Sequence, residues 1–121
     1  MKIAIDRNKQ LSAIQAEFNN TFPYLKLDFF SKQHAVGEAS AKQNLISNNR
    51  RLEDFIGFKN NKIEFTITSA MTVKDLEQNF IDAYGLSVQV FRKSGKVWLE
   101  TTVTDGWTLE EQNRQGEQLS T

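Results

Sequence analysis

The chain has one histidine, His34, and a carboxylate four residues on, Glu38. On a helix that spacing sets two ligands on one face, as a metal site requires, but Gly37 interrupts the turn and no third ligand is near. His34 therefore reads as a surface residue, and neither a metal nor a cofactor is expected. The acidic pairs Glu53–Asp54 and Glu110–Glu111 are chain neighbours, which point in different directions on a helix and cannot share a substrate. Three separated carboxylates, Asp28, Glu64 and Glu100, fall on one sheet face if the alternation of their strands is followed. Carboxylates brought together in this way could serve a small hydrolase or lyase as an acid–base site.

Nucleophile motifs are missing, because no G-x-S-x-G elbow occurs and the serines have no histidine base other than His34. The stretch FRKSGK resembles a phosphate-binding loop only in part. It has one glycine and lies between two strands, where a Walker loop needs its full glycine spacing and a following helix. A hairpin turn accounts for it, with Ser94 and Gly95 in the turn and Arg92, Lys93 and Lys96 keeping the tip soluble. Lys26, Arg92 and Lys96 lie close to Phe30, Phe91 and Trp98, aromatics out of phase with the buried alternation of Leu86, Val88 and Val90. Basic residues interleaved with exposed aromatics are also how some sheets stack RNA bases. Against RNA stand 15 basic side chains balanced by 15 acidic ones, and the absence of the RNA-recognition consensus. An aromatic patch this large needs a cover. The connection around Leu52, Phe55 and Ile56 with Trp107 is one candidate, and a second chain is the other.

The elements that position these residues occur twice. The segment from Lys2, KIAIDRNKQLSAIQAEFNNTFPYLKLDFFSK, aligns with that from Glu64, EFTITSAMTVKDLEQNFIDAYGLSVQVFRK, with a one-residue gap near Pro23 and Gly85. Each copy runs strand, helix, strand. The helix stripes are Leu11, Ile14, Phe18, Phe22 and Val73, Leu76, Phe80, Tyr84. Thr72 with Asp75 predicts a helix start, Gly85 a stop, and Pro23 the end of the first helix. A fainter echo pairs KQNLISNNRRLEDF with KVWLETTVTDGWTLEEQ. It extends the halves to residues 2–57 and 62–119, each of about sixty residues and too small to stand alone. Thr108 and Glu111 form a capping box, so a last helix starts at Trp107 or Thr108. Its nearly all-polar face predicts fraying beyond Leu109.

The expectation is one α+β domain over residues 1–121, built from duplicated βαβ units as a ferredoxin-like split βαβ sandwich with an additional C-terminal strand and helix. Both repeat helices should lie on one face of an antiparallel sheet. A β-grasp fold is the rival, but it needs a hairpin that residues 33–61 do not clearly supply. Of the residues, 39% are hydrophobic and 25% charged, ordinary globular values. No cysteine is present, which excludes disulfides and thiolate chemistry. The first residues turn polar after Ile5 and no apolar run spans a bilayer, so a cytoplasmic location without membrane contact is expected. The closing block VFRKSGKVWLETTVTDGWTLEEQN resembles that of small bacterial proteins with no assigned activity, which implies a bacterial cytoplasmic protein and no particular site. The functional expectation is a non-catalytic module that binds a protein partner or forms a homodimer. Its binding residues would be Phe30, Phe91, Trp98, Arg92, Lys93 and Lys96, with RNA binding as a further alternative.

Overall fold

A computed structural model describes residues 2–30, 45–47, 49–55 and 64–120. His34, Glu38 and Ile56 lie outside them. The elements run β1 (Lys2–Ile5), α1 (Leu11–Thr21), β2 (Leu25–Phe30), a 3-10 turn (Leu52–Phe55), β3 (Phe65–Thr68), α2 (Val73–Tyr84), β4 (Ser87–Ser94), β5 (Val97–Glu100) and α3 (Leu109–Ser120). Among the described residues the protein is α+β, with antiparallel strand pairing and three α-helices. Among the described residues no helix is long and apolar enough to cross a membrane.

Strand pairing differs from the single sheet of a split βαβ sandwich. That arrangement seats β3 between β1 and β2, whereas among the described residues β1 pairs only with β3, and β2, β4 and β5 form a second sheet in that order. The physical reason lies in the inward residues. Leu27 faces Val90 and Phe29 faces Val88 across β2 and β4, so the two longest apolar strands make one continuous buried floor. The shorter β1 and β3 form a separate ribbon that adds Ile3, Ile5 and Ile67 to the same core.

α1 and α2 bury the stripes their spacing predicts, from Leu11 to Phe22 and from Val73 to Tyr84. The Phe80 ring meets Phe29 and Phe65 edge-on at 5.4 and 4.9 Å, tying α2 to both sheets. Asp75 N–H donates to Thr72 Oγ1 (3.0 Å), and Gly85 closes the helix at φ 66°, a left-handed conformation that glycine adopts without steric cost. α1 has no side-chain cap. Its Leu11 N–H donates instead to Arg50 O at 2.9 Å.

α3 does not fray after Leu109. Its polar face is its packing face: Gln112 is buried and joins Arg92 and Thr104, while Asn113 Oδ1 accepts from Tyr24 N–H at 2.9 Å. Gly116 permits the approach, since a Cβ there would lie 2.7 Å from Tyr24 Cβ.

Two Leu-acid segments make matching backbone contacts. Leu52 N–H donates to Lys9 O (3.0 Å) as Leu109 N–H donates to Met71 O (2.8 Å). Glu53 N–H donates to Arg7 O (2.9 Å) as Glu110 N–H donates to Ser69 O (3.1 Å). Each set docks a Leu-acid segment beside a helix N-terminus. In the first half that segment is a single 3-10 turn, and in the second it begins α3.

Candidate functional site

Strand parity decides which side chains share the sheet face that the helices leave open. On β2 they are Lys26, Asp28 and Phe30; on β4, Gln89, Phe91 and Lys93; on β5, Trp98 and Glu100. Lys26, Asp28, Phe30, Leu45, Phe91, Trp98 and Glu100 line a concavity of ≈ 320 Å³. Phe30 is buried there, outside the main core, and forms an isolated antiparallel bridge with Leu45. Phe91 and Trp98 are half-buried, and both hold the Lys26 ammonium, at 5.1 and 5.3 Å from their ring centres.

The six residues singled out from sequence are therefore divided. Phe30, Phe91 and Trp98 meet in one concavity, and Lys93 stands on the same face opposite Trp98. Lys96 is exposed in the two-residue turn beside Gly95, whose φ is 62°. Arg92 leaves the group. The alternation of Val88 and Val90 carries it to the helix side, where its guanidinium donates to Gln112 Oε1 (2.9 Å) and lies 5.6 Å from the Trp107 ring centre. The three basic residues thus do not converge on one phosphate.

Comparison with protein-family models, curated proteins and solved structures finds no match to this chain.

The carboxylates divide as well. Asp28 and Glu100 line the aromatic concavity, and Asp28 Oδ1 accepts from Gln15 Nε2 at 3.2 Å. Glu64 belongs to another hollow of ≈ 290 Å³ beside the β1–β3 ribbon, with Asp6. The buried Tyr84 phenol is pushed up to about 12, first by burial and then by the negative charges of Asp6 and Glu64. Among the described residues no three His, Asp or Glu side chains gather as a metal site.

The cover expected for the aromatics also differs. Leu52 is fully buried in the main core, Phe55 packs against that core, and Trp107 stands on the helix side. Leu45 reaches the aromatic face instead. Leu45 was not singled out from sequence, because it has no periodic partner to mark it. Lys26 stands where its alternation with Leu25 and Leu27 places it, beside Phe91.

Proposed function

We propose that this chain is a cytoplasmic, non-catalytic protein-interaction module that docks its partner on the concave face of Phe30, Phe91 and Trp98. The observation that carries this reading is the pair of half-buried aromatics, Phe91 and Trp98, bracketing one ammonium group at the mouth of an ≈ 320 Å³ concavity. Large aromatics flanked by opposite charges, here Lys26 with Asp28 and Glu100, are typical of energetic centres of interfaces. The reading includes a duplicated βαβ architecture. It is supported by matched backbone contacts in the two halves and by pairings centred on equivalent residues, Ala4 with Thr66 and Asp28 with Gln89.

Phe91→Asp tests the proposal. The variant should stay folded by circular dichroism, losing about 1–2 kcal/mol of stability from a half-buried ring. It should lose the proteins that the unmodified chain captures from its host. Retention of the same partners by the folded variant would remove the aromatic face from recognition. Salt-sensitive capture of RNA would replace a protein partner with a nucleic acid.

A second reading rests on Asp28 and Glu100 sharing that concavity, which allows acid–base work in a small hydrolase or lyase. It requires an activity on some substrate that Asp28→Asn and Glu100→Gln each abolish.

A further inference from the structure

β5 is the outer strand of its sheet, with no second neighbour among the described residues. Its backbone phase fixes which groups face outward. Lys93 N–H donates to Tyr24 O at 2.9 Å, away from β5, whereas Thr101 N–H donates to Val90 O at 3.3 Å. By antiparallel alternation the β4–β5 bonds fall at Leu99 and Val97, so the N–H and C=O groups of Trp98 and Glu100 point to the open edge. Side chains leave the same edge unfinished. Val97 and Leu99 are 56% and 44% exposed on the helix side, because α3 covers β4 and stops short of β5.

We propose that two copies of this chain join through β5, antiparallel and centred on Trp98, into one continuous six-stranded sheet. The segment Lys96-Val97-Trp98-Leu99-Glu100 is complementary to itself when read in reverse. A two-fold axis perpendicular to a sheet keeps each face on its own side, so the register must centre on a residue and not between two. Centring on Trp98 sets Trp98 against Trp98, Val97 against Leu99 on the helix side, and Lys96 against Glu100 at both ends. Centring on Leu99 instead would oppose Trp98 to Glu100 and leave Lys96 without its carboxylate. The outward backbone groups agree, since Trp98 can exchange both of its hydrogen bonds with its copy. A formal net charge of zero adds no long-range repulsion between copies.

This contact goes beyond the proposed docking face, because it uses the edge of the strand and brings two aromatic concavities side by side. The deciding experiment is sedimentation velocity from micromolar to millimolar concentration on the wild type, Lys96→Glu, Glu100→Lys, the double swap and Phe91→Asp, each checked for fold by circular dichroism. The wild type should dimerise. Each single swap should weaken dimerisation at least about tenfold by opposing like charges, and the double swap should restore it. Phe91→Asp, on a strand one removed from the edge, should dimerise normally even if it loses partner capture. In hydrogen exchange, the Trp98 and Glu100 amides should gain protection as concentration rises, and those of Val97 and Leu99 should not. A wild type that stays monomeric throughout overturns the proposal. Single swaps without effect, a double swap that does not rescue, or a dimer lost only in Phe91→Asp would each overturn it too.

Discussion

Tyr84 is the residue through which alkaline pH should reach the fold. Its phenol holds its proton to about pH 12 in the folded chain, against a reference value of 10.0. A raised folded-state value means that its contribution is complete below pH 10 and declines as pH climbs toward 12, because the unfolded chain gives up the proton first. Urea unfolding across that range should show stability falling more steeply in the wild type than in Tyr84→Phe. Parallel slopes would show that this phenol is not the sensor. Asp54 behaves in the opposite sense at the surface. Arg51 N–H and the Arg50 guanidinium donate to its carboxylate and lower its value, with no burial to give the effect weight in stability.

At the scale of elements, α3 separates what the sequence displays from what it conceals. Adding a methyl at Gly116 should cost about 1–3 kcal/mol by overpacking against Tyr24, more than the roughly 1 kcal/mol by which alanine favours a helix. A Gly116→Ala variant should therefore unfold at a lower urea midpoint with an unchanged slope, and one as stable as the wild type would mean that the helix stands further off. Hydrophobic periodicity made α1, α2 and the β4–β5 hairpin legible, because their apolar residues recur at fixed spacing and Thr72, Gly85 and Gly95 punctuate them. The same criterion failed for α3, whose inward residues Gln112 and Gly116 are polar or lack a side chain. Arg92 is legible by strand alternation, since the parity of Val88 and Val90 sends that residue to the helix side. Strand partners were not legible. The spacing that predicts a strand is indifferent to which strand it pairs with, and β2 could be assigned to β3 or β4 on pattern alone.

Across the whole molecule, residues from both halves enter one core, with Phe18 from the first and Phe80 from the second fully buried in it. Phe18→Ala and Phe80→Ala should each cost about 3–5 kcal/mol and shift a single transition. The test is whether far-ultraviolet dichroism and tryptophan fluorescence change together in urea; since Trp98 and Trp107 both lie in the second half, separate transitions would mean that the halves unfold independently. The strand pairing sets a further condition in time. Lys2 must find Thr68 and Leu25 must find Arg92, partners more than sixty residues further along the chain, whereas among the described strands only the β4–β5 hairpin closes locally. During synthesis, β1 and β2 therefore leave the ribosome before their partners exist. The nascent first half must wait with Leu25, Leu27 and Phe29 unsheltered until the second half emerges, which makes it the stage of this protein's life most in need of a chaperone.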